Sequence, residues 1–214
     1  MTKTGKKLYY HFTSDTLRDG KPLPKVGKWI QVKGAIVPCK NGLHASEHPF
    51  DALQYAPACM LHLVELGGEV VEHGTPVDKV AARKRKIVAS IDTTDLCRTF
   101  ARRCALDVLH LWPTAPQIVK DYLSTGDESL GDAAWDAARA VAWDDAGDAA
   151  GAAGAAARDA AWAAARGTAW YAVRAAAGDA EMDKYRQWFK EMVDQAFESK
   201  EQGTNKQTPL KLNL

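Results

Sequence analysis

Residues 132–177 are dominated by alanine, the strongest helix former of the natural set. No strand-based architecture accommodates such a run, so the second half of the chain must be helical. Glycine is preferred just after a helix ends and aspartate is among the best residues at a helix start. Gly-Asp recurs at 126–127, 131–132, 147–148 and 178–179, which divides the run into helices over 132–146, 148–166, 168–177 and 179–198. One uninterrupted helix across 132–177 would be about 70 Å long at roughly 1.5 Å per residue and would leave its tryptophans on the surface. A bundle is therefore the favoured reading.

Those tryptophans alternate with arginine at a spacing of four: Trp135, Arg139 and Trp143, then Arg158, Trp162, Arg166, Trp170 and Arg174. Residues four apart touch on a helix, and a guanidinium over an indole contributes about 0.5–1 kcal/mol when exposed. Trp135, Trp143, Trp162 and Trp170 thus read as interhelical glue or, functionally, as an interface for a partner. Aspartates 132, 136, 144, 145 and 148 read as a solvated acidic face, and no metal site is expected.

The first half has a different period. The stretches 7–13, 28–34, 35–39, 59–66, 69–73 and 83–92 are rich in β-branched and aromatic residues and are punctuated by Gly, Pro and Asn, as strands are. A β-hairpin is expected around Gly67-Gly68, and a short helix over 48–56. From Thr94 the apolar residues recur every three to four positions up to Pro113, with Thr93 or Thr94 as N-cap, and a second helix is expected over 115–124. The predicted fold is α+β: a small mixed α+β domain over 1–92, an antiparallel Ala/Trp-rich helical bundle over 93–200, and a flexible tail over 201–214.

Charge is segregated. Residues 1–126 hold 18 Lys and Arg against 12 Asp and Glu, whereas residues 127–183 hold 4 against 11. Duplex nucleic acid is an unlikely partner for the acidic segment, since phosphate contact depends on clustered cations, and an anion should bind the first half. No run is long and apolar enough to cross a bilayer, the start lacks a secretory pattern, and a cytoplasmic location is expected. Cys39, Cys59, Cys97 and Cys104 form no CxxC pair and are expected to be buried free thiols.

Signatures of the P-loop, GxGxxG, GxSxG and HExxH kinds are missing. "YYHFTS" (9–14) followed by "GLHASEHPFDALQYA" (42–56) resembles the first two elements of the ADP-ribosyltransferase fold. The resemblance implies that His11 contacts the nicotinamide ribose of NAD, and that Tyr55 or the Gly42–Ser46 strand supplies the second element. The family's third element is a glutamate; its acidic-x-Glu motif is missing, which leaves Glu65, Glu69 and Glu72 as candidates. The plainer reading makes His11, His44 and His62 ordinary polar or core histidines. Within "ARKRK" (82–86), strand alternation sets Arg83 and Arg85 on one face and Lys84 and Lys86 on the other. That cluster is either a charged edge strand or an anion contact, with Arg83 and Arg85 joining His11 and Ser46 as ligand-binding candidates.

The block order "YYHFTSDTLRDGKPLP", "GLHASEHPFDALQYAP", "LVELGGE", "FARRCALDVLHLW" and "YLSTGDESL", followed by alanine-tryptophan repeats, resembles an uncharacterised family of phages, prophages and some bacteria. The expectation is a non-catalytic accessory protein without cofactor. It would engage a host protein or nucleotide signal in the host cytoplasm, as in counter-defence. An NAD-using transferase and a structural, homo-oligomerising protein are the alternatives.

Overall fold

A computed structural model describes residues 6–17, 20–141, 169–176 and 182–203. Its strands are β1 (Tyr9–Thr13), β2 (Trp29–Gln31), β3 (Leu43–Ala45), β4 (Met60–His73) and β5 (Lys79–Asp92). Its helices are α1 (Pro49–Leu53), α2 (Thr94–Val108), α3 (Gln117–Thr125), α4 (Gly131–Val141), α5 (Ala169–Ala176) and α6 (Met182–Glu201). The fold is α+β. It divides into a sheet unit, formed by residues up to Thr94 together with Val193–Glu201, and a helical unit containing Asp95–Met192.

All pairings in the sheet are antiparallel, in the order β1-β4-β5-β2, with β3 also on β5. Tyr10 and Ser46 exchange both backbone hydrogen bonds, at 2.8 and 2.9 Å. This bridge returns the path β1-β4-β5-β3 onto β1. Ala45, Val64 and Ile87 form a buried cluster, with Tyr9 and Leu66 packed against it.

Gly67-Gly68 is not a turn. β4 runs through both glycines as one strand of 14 residues, and its register on β5 shifts between Gly67 and Val70. A bulge absorbs what the sequence suggests is a reversal. Gly68 lies at φ +74°, where an added Cβ would stand 3.0 Å from the Arg83 Cβ, and the Trp29 ring covers Gly67. The chain reverses instead between His73 and Lys79. Consequently β5 is no edge strand: β4 flanks it on one side, and β2 and β3 on the other.

Residues 35–39 form no strand either. Val37 and Asn41 bridge across a tight turn in which Cys39 takes φ +66°. Cys97 and Cys104 are buried free thiols, whereas Cys39 is exposed and Cys59 half-buried. The exposure of Cys39 follows from its place in that turn.

α1 is shorter than expected and ends before Tyr55; His48 caps it by accepting the Phe50 N–H on Nδ1 at 3.2 Å. At the start of α2 the residues around the expected cap, Thr93 and Thr94, are tied to their neighbours. Asp92 accepts the Thr94 N–H at 2.8 Å, while the Thr93 hydroxyl donates to the Cys59 carbonyl at 2.6 Å. α2 continues into a single 3-10 turn at Leu109–Leu111.

The Gly-Asp rule holds at 126–127. Gly126 ends α3 in the left-handed conformation, φ +69°, and Asp127 caps the following 3-10 turn. At 131–132 it fails, because Gly131 is right-handed and opens α4 with Asp132 in its first turn. The pairs at 147–148 and 178–179, and the division of 142–168, lie outside the described residues, as do Trp143, Trp162 and the tail from 204.

Within the helical unit, Phe100 and Phe189 meet at 4.8 Å between ring centroids. The Arg103 guanidinium lies 3.8 Å from the Trp188 centroid. Tyr185 donates its hydroxyl to Asp107 at 2.8 Å, and Lys184 pairs with the same carboxylate. No helix among the described residues is long and apolar enough to cross a membrane.

Candidate functional site

β1, β4 and β5 lie side by side in the sheet, with His11 opposite His62 and His62 opposite Ser90. Residues directly opposite in an antiparallel ladder share a face, so one row carries two imidazoles and a hydroxyl. His62 is buried. The Thr13 hydroxyl lies 2.8 Å from its Nε2 and the Ser90 hydroxyl 2.7 Å from its Nδ1. Hydroxyls both donate and accept, so the neutral ring is fully satisfied. Burial, with the Arg85 charge added, lowers its pKa to about 4.

His11 differs. Its ring stands 6.4 Å from that of His62, and among the described residues neither of its nitrogens has a hydrogen-bond partner. Burial holds its pKa well below the ordinary range, reinforced by the charge of Arg85 and by His62 and His44. Both imidazoles are therefore neutral at pH 7.

Arg85, two residues before Ile87 on β5, is 5% exposed. It donates one hydrogen bond, to the His44 carbonyl oxygen, and no carboxylate pairs with it among the described residues. Desolvation lowers its pKa to about 10, which leaves it charged at neutral pH. A buried cation is ordinarily paired, because removing an ion from water costs several kcal/mol even after relaxation.

The other sequence candidates are held elsewhere. Arg83 pairs with Glu69 and donates to the carbonyls of Val32 and Gly34, which binds the loop after β2 to β5. Ser46 is buried and its backbone makes the bridge to Tyr10. Tyr55 is exposed; its hydroxyl donates to Asp78, and the Lys79 ammonium stands 4.1 Å from its ring centroid. Partial burial and the Asp78 carboxylate push its phenol well above the ordinary range.

Glu65, three residues from His62 in an unbroken stretch of β4, faces the other way, where Lys6 and Lys86 bind it at 2.7 and 2.6 Å. Those two lysines hold its carboxyl below the usual range. Glu72 is exposed opposite Val80. The charged and titratable groups acting on His11 are Arg85, His62 and His44, and no glutamate is among them. Hence the sheet unit brings His11 together with Arg85 and leaves Glu65, Glu69 and Glu72 apart.

The plain reading of His11, His44 and His62 fits the last two: His62 is satisfied in the core and His44 accepts the Cys39 N–H at 3.0 Å; His48, outside that reading, caps α1. The sequence motif His11-x-Thr13 is visible in the chain, whereas Ser90 is not singled out by it. The available signal for Ser90 was its period-two spacing from the edge of the β5 run. In the helical unit Trp135 and Trp170 are half-buried, and the Arg139 guanidinium lies 4.8 Å from the Trp135 ring centroid, as the four-residue ridge predicts. Among the described residues no group of three or more His, Cys, Asp or Glu is placed to hold a metal ion.

This is an α+β protein whose sheet unit carries a neutral His pair beside a buried arginine. Residues 7–99, the whole sheet and the start of α2, match a family described as a domain of unknown function (DUF7666). No curated protein and no solved structure gives a significant match to the chain.

Proposed function

We propose that this is a non-catalytic, phage-type accessory protein that engages a host factor, and that the factor is a nucleotide signal bound by the sheet unit. One observation carries the reading. His11 is a neutral imidazole with both nitrogens unengaged among the described residues, on the face of the sheet where Arg85 holds an unpaired positive charge. A half-buried imidazole with open nitrogens near a cation is what a polar ligand completes. A role in counter-defence follows from sequestering such a signal in the host cytoplasm. The catalytic alternative, NAD-dependent ADP-ribosyl transfer, needs a carboxylate beside His11, and Glu65 and Glu69 are already bound to lysines and to Arg83.

The test is to titrate the purified protein with a panel of host nucleotides, NAD included, by calorimetry, and to follow NAD by mass spectrometry in host lysate. The expected result is saturable binding of a nucleotide, weakened in His11→Ala, with NAD left intact. Consumption of NAD that disappears in His11→Ala would replace this reading with the transferase. No binding across the panel would remove it.

A further inference from the structure

We infer that Arg85 and His11 together hold an oxyanion of the phosphoryl class, and that the phosphate of a nucleotide supplies it. The inference rests on the binding role proposed above and names the part of the ligand that the site reads.

Arg85 is a cation in the sheet interior with one hydrogen bond, to a neutral carbonyl. The charged residues around it are already committed. Glu65 is taken by Lys6 and Lys86, and Glu69 by Arg83. The imidazoles on its own face, His11 and His62, are uncharged and feel it as a like charge whenever they protonate. A guanidinium presents a planar fork of N–H donors suited to two oxygens of a phosphate or carboxylate. Here most of that fork has no partner among the described residues.

His11 adds what a phosphate also needs: a neutral ring carries one N–H donor and one acceptor, neither engaged, beside the arginine. His62 is excluded from direct contact because Thr13 and Ser90 occupy both of its nitrogens. Its part is to fix the neighbouring ring and keep the face uncharged apart from Arg85. A small dianion would then meet one strong cation and one neutral hydrogen-bonding ring, and each charge-assisted hydrogen bond is worth roughly twice a neutral one.

The experiment compares wild type with Arg85→Met and Arg85→Lys by calorimetry, using inorganic phosphate, pyrophosphate, a nucleoside monophosphate and the same nucleoside without phosphate. Thermal melts of each free protein accompany the titrations. The expected result is binding of the phosphorylated probes and not of the bare nucleoside, a loss of at least about tenfold in affinity with Arg85→Lys, where the fork is replaced by a point charge, and complete loss with Arg85→Met. Free Arg85→Met should melt at or above the wild-type temperature, because an unpaired buried charge has been replaced by apolar volume.

If Arg85 is only a strap to the His44 carbonyl, free Arg85→Met melts lower and a nucleotide still binds its folded form unchanged; that outcome overturns the inference and leaves the nucleotide reading intact. Binding of inorganic phosphate and pyrophosphate with no preference for the nucleotide supports the inference and removes the nucleotide reading. No binding of any phosphorylated probe overturns both.

Discussion

The two units of this protein differ in where their cations find partners. In the helical unit several charged and aromatic groups are matched to one another, although the Arg102 Nε and the Trp112 indole N–H are buried there without a hydrogen-bond partner among the described residues. Arg103 lies on the Trp188 indole, Asp107 accepts from Tyr185 and Lys184, and Phe100 meets Phe189. In the sheet unit the cation Arg85 donates only to the His44 carbonyl oxygen among the described residues, and its charge acts on His11 on the same face of the sheet. A core assembled for stability satisfies its polar groups, whereas a site retains some for a ligand. The helical unit is therefore the place to test packing, and the sheet unit the place to test the proposed site.

The largest effect should come from the scaffold. Phe189→Ala removes a fully buried ring tilted against Phe100 and is expected to lower stability by about 3–5 kcal/mol, read as a shifted urea midpoint. A loss below about 1 kcal/mol would mean that the helical core is not built as described.

Next comes pH. His62 is held neutral in the folded protein down to about pH 4, first by burial and then by Arg85, while in the unfolded chain it protonates near 6.5. Because the folded pKa is the lower one, the unfolded state binds the extra proton first. Stability contributed by the neutral ring is complete above about pH 6.5 and is lost as pH falls towards 4, by about 3 kcal/mol. His62→Gln should flatten that slope in urea titrations at stepped pH. An unchanged slope would show that His62 is not the group that responds.

Tyr185→Phe deletes the hydroxyl that donates to Asp107. A bond to a charged acceptor predicts a loss of about 1.5–2 kcal/mol, measured as a fall in melting temperature with the structure otherwise kept. The smallest effect is expected at Glu65, whose partners Lys6 and Lys86 lie on the face of β4 opposite to His62. Glu65→Gln should cost less than about 1 kcal/mol and leave nucleotide titrations unchanged. A Glu65→Gln protein that no longer bound ligand would move the site to the other face of the sheet.

Much of the secondary structure is legible in the chain itself. Gly126 stops α3 and Asp127 starts the next turn because their conformational and capping preferences act within four residues. The change from period two to period three or four near Thr94 marks the junction of the units for the same local reason. Gly67-Gly68 misleads because the same permissive backbone serves a hairpin and a bulge. What selects the bulge is the Trp29 ring over Gly67 and Arg83 against Gly68, both distant in sequence.

The site follows the same division. A strand carrying His11 and Thr13, a basic cluster ending in Arg85 and Lys86, and a change to helical period at Thr94 are legible in local pattern alone. Only the tertiary structure decided that His11 lies opposite His62 and His62 opposite Ser90, that Glu65 turns away, and that Arg85 rather than Arg83 is buried without a carboxylate. Local preferences set which residues alternate along a strand. Register across strands more than 20 residues apart in the chain sets which alternating rows coincide, and that depends on burying Val64 and Ile87 together, a choice made by the whole sheet.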